Sequence, residues 1–358
     1  MKITILHGAR TALSVLILGV AALSASAQAE DKPVVIRIAY PGAGTGGRPL
    51  ADGSYIATAN YQGALEKEFK ADGIKVQWTF FPGAGPAVNE QAANGLVDFA
   101  FHGDLPLIVG RSTGIKHHII LGAARFGPTY LVAPSDSPAK SLADLKGKTL
   151  STFKGTAGQL TLYRVLEKYG FSEKDFSVIT QNADNQKASL ATKSIDGTII
   201  SPWDLQARGI ARPLLELKRD PKVTSVGSVW VSEDFEKKYP QIVQRMVNAL
   251  VKVAAWNSDE KNRDKIFHLW AQSGNTPYVD YVKNYQGYSL KEIGTPLLDE
   301  YYVASLQKAV NETKRYKLIR HDVSLNGWIE PKYLETALKE QHLEHYWDQY
   351  DANGNVKK

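Results

Sequence analysis

The chain has no cysteine among its 358 residues. That absence excludes disulfides, a lipid-modified cysteine and a thiol nucleophile, so the fold must hold without covalent staples. Blocks of like charge are missing too. Lysine and arginine are interleaved with aspartate and glutamate, which leaves no basic footprint for a nucleic acid. No glycine-rich turn runs into Gly-Lys-Ser/Thr, so there is no phosphate loop. The histidines are poorly placed for a metal. His117 and His118 are adjacent and point to opposite sides of a strand, while His342, Glu344 and His345 lie in a polar tail. No metal and no cofactor are expected. Beyond the N-terminal segment, no stretch approaches the ~20 apolar residues that span a bilayer.

That segment reads as a secretory signal. Lys2 and Arg10 form its positive region, Ala12 to Leu23 its apolar run, and Ala27-Gln28-Ala29 a small-residue cleavage site. Cleavage after Ala29 leaves residues 30–358 as an expected soluble periplasmic protein. The net charge falls from +6 to +4, because Lys2 and Arg10 are removed and no acid is lost. An apolar fraction of 43% is enough to build a buried core, and the length fits two domains.

One pattern occurs twice. QAANGLVDFAFHGDLPLI at 91–108 and SLATKSIDGTIISPWDLQ at 189–206 each read as a helix end, a turn, an apolar strand and an aspartate at a new helix start. Asp98 and Asp196 precede the two strands; Asp104 and Asp204 follow them. Alternating strands and helices around this pair imply α/β architecture in two lobes of related build. Ligands bind outside the carboxyl ends of strands in such sheets, so two facing edges would form a cleft. The expected partition is a signal peptide at 1–29, a discontinuous first lobe at 30–131 and 226–358, and a second lobe at 132–225. Hinge strands are expected near 130–132 and 229–231. Expected helices include 62–69, 141–148, 159–169 and 240–256, the last with Ile242, Met246, Leu250 and Val253 on one face. The helical tail is expected to cover the first lobe.

Four stretches carry a resemblance. They are IRIAY at 36–40, NGLVDFAFHGDLPLI at 94–108, SDSPAKSLADLKGKTLSTFKGTAG at 135–158 leading into LYRVLEKYG, and SPWDL at 201–205; the ending LIRHDVSLNGWIEPKYLETAL at 318–338 adds to them. Together they resemble the periplasmic solute-binding proteins of ABC importers, in the aliphatic-sulfonate, taurine and nitrate group. The resemblance implies a two-lobed type II periplasmic-binding-protein fold with two hinge strands. It implies a Venus-flytrap cleft that closes on a small anionic or zwitterionic solute, and delivery to an ABC permease by a monomer that does no chemistry. An aliphatic sulfonate or related sulfur compound is the expected ligand. Nitrate, a pyrimidine precursor and an aromatic acid are alternatives. An enzyme on the same scaffold is a further one; similar sulfinate-cleaving enzymes use a nucleophilic cysteine, which this chain lacks. Two departures stand out. The loop from Gly42 to Gly63 is longer and richer in glycine and tyrosine than the group's, and Gly155 to Gln159 replaces a Ser-Ser and His run.

Candidate ligand contacts follow from helix starts and strand ends. Gly155, Thr156, Ala157 and Gln159 enter a helix whose free N–H groups and positive end suit an anion, with the Thr156 hydroxyl as an added donor; a plain tight turn is the competing reading. Asp104 is either a helix cap or a carboxylate offered to an amine, and Asp204 is similar. Gly83 and Gly85 begin another helix. Trp203 could wall an aliphatic ligand or sit in a core. Arg125 could grip an anion by its fork of donors or form a salt bridge. Phe81 and His102 end strands, and Thr45 and Gly46 lie in the long loop.

Overall fold

The computed structural model describes residues 32–357, and the expected secretory leader at 1–29 lies outside them. Among the described residues ten strands alternate with helices: β1 (Val35–Tyr40), β2 (Lys75–Phe80), β3 (Phe99–Gly103), β4 (His117–Ala124), β5 (Thr129–Pro134), β6 (Thr149–Thr152), β7 (Ser177–Thr180), β8 (Gly197–Ile199), β9 (Ala211–Leu217) and β10 (Gly227–Ser232). They form two five-stranded sheets, ordered β2-β1-β3-β10-β4 and β7-β6-β8-β5-β9. The orders are equivalent position by position. In each sheet one strand, β10 or β5, runs antiparallel to both of its neighbours. The chain is a two-lobed α/β protein of the periplasmic-binding-protein fold.

The repeated sequence pattern has a structural cause. The Asp98 carboxylate accepts the Arg37 backbone N–H at 2.7 Å, and the Asp196 carboxylate accepts that of Thr149 at 2.9 Å. The aspartates therefore tie the start of β3 to β1 and the start of β8 to β6. Asp98 also pairs with the Arg37 guanidinium at 2.5 Å.

The chain crosses between sheets at residues 125–128 and 218–226. Residues 130–132 lie inside β5 and 229–231 inside β10, so neither triplet is the crossing itself. Each lobe has its own core. The first buries Tyr55, Trp230, Tyr301, Tyr302 and Trp328, and the second Leu131, Leu150, Leu162 and Leu166. The helix Pro240–Asn257 buries the expected face of Ile242, Met246, Leu250 and Val253. The tail covers the first lobe but not that lobe alone, since Tyr316 and Leu318 also pack on the second core.

Local expectations differ in three places. The helix expected over 62–69 is Ala64–Phe69, preceded by a separate helix Tyr55–Gln62 that ends at Gly63. The helix expected over 141–148 is a single turn at Ala143–Leu145. There the Asp144 carboxylate takes the N–H groups of Lys140 and Ser141, both at 2.8 Å, and so holds an open turn. The strand β9 and the helices Glu233–Lys238, Tyr278–Asn284 and Leu290–Gly294 were not expected. No described helix is long and apolar enough to cross a membrane.

Candidate functional site

The carboxyl ends of the strands in the two lobes face each other, and the lobes meet there through glycine. A Cβ on Gly103, at the end of β3, would stand 2.7 Å from the Ala157 Cβ of the second lobe. A Cβ on Gly155 would stand 2.8 Å from the Pro86 ring of the first lobe, and Gly155 also holds φ at +82°. Both distances are impossible for a real side chain. This seam therefore depends on the missing side chains.

Behind the seam lies a buried charge network. Arg164, on the helix Ala157–Lys168, reaches Asp104 of the first lobe at 2.9 Å and Glu312 of the tail at 2.7 Å. It also donates to the Thr224 carbonyl at 3.1 Å and the Ser225 hydroxyl at 3.0 Å. Arg164 and Asp104 are 3% and 1% exposed, so the pair is fully desolvated and joins the lobes beside the second crossing.

Two cavities draw their walls from both lobes. The first, of about 370 Å³, lies at the crossings. The first lobe contributes Ser54, Tyr55 and Arg125; the second contributes Gly158, Thr161 and Ser201; Tyr130, Asn257 and Asn284 complete its polar wall. Arg125 is the only charged residue lining it. Two of its buried groups lack hydrogen-bond partners, the Tyr130 hydroxyl and the Asn257 Oδ1, on residues 2% and 3% exposed. Burial pushes the Tyr130 hydroxyl pKa up, so it keeps its proton. The Trp203 ring stands edge-on to Tyr130 at 5.4 Å, but its N–H goes to Asn284 at 2.9 Å.

The second cavity, of about 440 Å³, opens under the glycine-rich loop. Tyr40, Gly46, Asp52 and Asn275 line it with Phe153 and Asp184 of the second lobe. Asp52 accepts hydroxyls from Ser273 at 3.2 Å, Thr276 at 3.1 Å and Tyr281. Burial raises its pKa, against the pull of those hydroxyls and of Lys187.

Of the residues singled out from sequence, Gly155, Thr156, Ala157 and Gln159 lie at the seam, and Arg125 and Gly46 line these two cavities. Thr156 caps its own helix, accepting the Gly158 N–H at 3.3 Å and donating to the Phe153 carbonyl at 2.7 Å. The Gln159 side chain takes the Gly155 N–H at 2.7 Å. The turn's donors are thus largely used internally, and the turn itself presses on the first lobe. Asp104 is committed to Arg164 and is not offered to an amine. Arg125 reaches the cavity wall, but its NH1 holds Asp299 at 2.8 Å and its NH2 the Leu297 carbonyl at 2.5 Å. His102 is 1% exposed, accepts the Trp230 indole N–H at 3.0 Å, and is pushed by burial to a pKa of about 3. Gly85 packs on Pro106 within the first lobe, and Gly83 precedes the same helix. The Phe81 N–H returns to Tyr40 at 3.0 Å. Asp204 pairs with Arg208 at 3.1 Å. The Thr45 hydroxyl donates to Asn275 at 3.2 Å, and Gly46 lines the second cavity.

The sequence reading missed Tyr130, Arg164, Asn257, Asp280 and Asn284. Arg164 had a signal, because it interrupts an otherwise apolar helix face between Leu160 and Leu166. No described cluster of three or more His, Asp or Glu residues could hold a metal.

Comparison with known proteins follows this geometry. A family model described as NMT1/THI5 like matches residues 59–260, more than half of the chain. A Bacillus subtilis (strain 168) protein whose name assigns it aliphatic sulfonates as ligands is 26% identical over 295 residues, covering 80% of this chain and 86% of that one. The solved structure of a Methylobacillus flagellatus KT protein, described as the periplasmic sulfonate-binding protein of a sulfonate ABC transporter, superposes with a TM-score of 0.75 at 27% identity. It covers 88% of this chain and 97% of that one. A Rhodococcus erythropolis 2'-hydroxybiphenyl-2-sulfinate desulfinase is 30% identical over a shorter stretch, 44% of this chain and 42% of that one.

Proposed function

The chain belongs to the NMT1/THI5-like family, and from that membership we propose that it captures a small organosulfonate between its lobes and hands it to an ABC permease. The observation that carries the reading is the cavity at the crossings. Residues of both lobes line it, its one charged wall residue, Arg125, is a cation already paired with Asp299, and Tyr130 and Asn257 in its wall carry buried polar atoms without a hydrogen-bond partner. A sulfonate oxygen would accept the Tyr130 proton, and the Asn257 amide, turned about its last bond, would offer an N–H. The apolar wall of Ile199, Ile200, Leu290 and Ile293 would take the carbon chain. A volume of about 370 Å³ falls within the range of small-molecule sites.

The expected secretory leader and the likeness to periplasmic proteins support a periplasmic location for this work, with a monomer as the working form. The chain captures and releases its ligand unchanged; with no cysteine it has no thiolate for sulfinate chemistry.

Thermal shift on residues 30–358 tests the reading, with hexanesulfonate, taurine, an aromatic sulfonate, nitrate and a pyrimidine. Ligand at a hundred times its Kd adds about 2.7 kcal/mol and should move the midpoint by several degrees. Tyr130→Phe and Asn257→Ala should each weaken sulfonate binding by about 5- to 10-fold, the worth of one hydrogen bond. No shift with any sulfonate, from protein freed of carried-over ligand, would refute the proposal.

A further inference from the structure

The glycine-rich loop 42–54 lines the second cavity and also bonds to a segment of the tail, residues 273–284. The Thr45 N–H donates to the Ser273 carbonyl at 2.9 Å, Asn275 Nδ2 to the Ala43 carbonyl at 2.6 Å, and Arg48 to the Ser273 carbonyl at 2.7 Å. Asp52 gathers the hydroxyls of Ser273, Thr276 and Tyr281. The Tyr281 ring packs on Trp270 at 5.4 Å, and the Trp270 N–H reaches Thr58 at 3.0 Å. One side of the segment is therefore fixed to the first lobe.

The other side holds the second lobe. The Lys187 ammonium donates to the Asn275 carbonyl. Asp280, 3% exposed, accepts the Ser201 hydroxyl at 2.5 Å and the Trp203 N–H at 2.9 Å. Asn284, one helical turn further, accepts the Trp203 indole N–H at 2.9 Å. The second-lobe helix Trp203–Ala207 is preceded by Pro202 and has no cap of its own. Its free N–H groups are met by a carboxylate from the segment that the other lobe carries.

We propose that residues 273–284 form a strap, docked on the glycine-rich loop, that holds the lobes closed before any solute is bound. Asp280 and Asn284 are its positioning residues, since they also fix Ser201 and Trp203 beside the cavity at the crossings. The long loop is then the strap's seat as well as a wall of the second cavity. From the proposed function the strap takes only the premise that the cleft must open to admit a solute.

The absence of native cysteine makes a distance measurement clean. Lys70→Cys on the first lobe and Lys174→Cys on the second, both at exposed positions, would carry spin labels in the full mature chain. The ligand-free protein should show one short distance. Asp280→Ala and Asn284→Ala should each raise the open-to-closed ratio by about tenfold, and the double variant by more, adding a longer distance. Should Asp280→Ala lose its fold, Asp280→Asn keeps an acceptor without the charge, and a smaller shift in the same direction is expected. Unchanged distances in variants that melt normally, or a wild-type protein already open without ligand, would overturn the strap. Adding sodium hexanesulfonate separates the two ideas. If it moves neither the distances nor the thermal midpoint, the sulfonate reading fails, while the ligand-free distances still decide the strap.

Discussion

Acid should unfold this protein through two histidines that never reach water. His102 and His117 flank Trp230 in the core of the first lobe, 1% and 2% exposed, with His117 4.9 Å from its ring. Burial pushes both to a pKa of about 3, and the charges of His102 and Arg111 depress His117 further. In the unfolded chain each should titrate near 6.5. Between those values the unfolded state binds more protons than the folded one. Stability is therefore complete above pH ~6.5 and falls as pH drops below it, by about 1.4 kcal/mol per pH unit for each ring. At pH 5 the two together should cost about 4 kcal/mol, a large share of a typical 5–15 kcal/mol. Glu236 does not blur this window. Burial raises its pKa, but hydrogen bonds from His118, Lys332 and Tyr333 outweigh burial and hold it below its usual range, so its contribution goes only at lower pH. Urea unfolding at pH 5, 6, 7 and 8 would measure the slope. The double variant His102→Asn and His117→Asn keeps a polar atom near each Nδ1, so it should start less stable at pH 8 yet lose far less on acidification. Wild-type stability that is flat from pH 8 to 5, or His102 and His117 imidazole resonances titrating near 6.5, would refute the reasoning.

Two further outcomes follow from the seam between the lobes. Arg164→Leu leaves Asp104 buried and unpaired and Glu312 with only Lys308 at 3.8 Å, and should cost about 3–5 kcal/mol, read as a large drop in thermal midpoint. Gly155→Val adds a side chain against Pro86 at a left-handed backbone position, so it should prop the lobes apart, raise the radius of gyration and weaken sulfonate binding at least tenfold.

The lobe pair was legible because its signal is local. Asp98 and Asp196 each sit one step before an apolar strand, and the hydrogen bond each makes to the neighbouring strand repeats with the topology. β9 was missed because Ala211–Leu217 contains Pro213, which argues against a strand interior; it forms an edge strand, where proline is tolerated. At the site, helix starts at residues 104, 157 and 203 were visible, but their partners were not. Nothing in the sequence places Arg164 opposite Asp104, Asp299 on Arg125 or Asp280 at the start of the Trp203 helix. Those pairs are 60, 174 and 76 or more residues apart and meet only through tertiary structure. The Gly155 turn admitted both an anion-binding and a plain-turn reading because a glycine before a helix looks alike whether it faces a ligand or a neighbouring lobe.

The position of β10 also sets an order of assembly. It lies between β3 and β4, and its middle pairs Val229 with Phe101, so β4 has no neighbour in its sheet until residues 227–232 arrive. The second lobe needs nothing beyond β9 to complete its sheet. As the chain lengthens from its N-terminus, the later-encoded lobe can therefore finish first, while the earlier one waits with β3 as an open edge. Such long-range closure is slow.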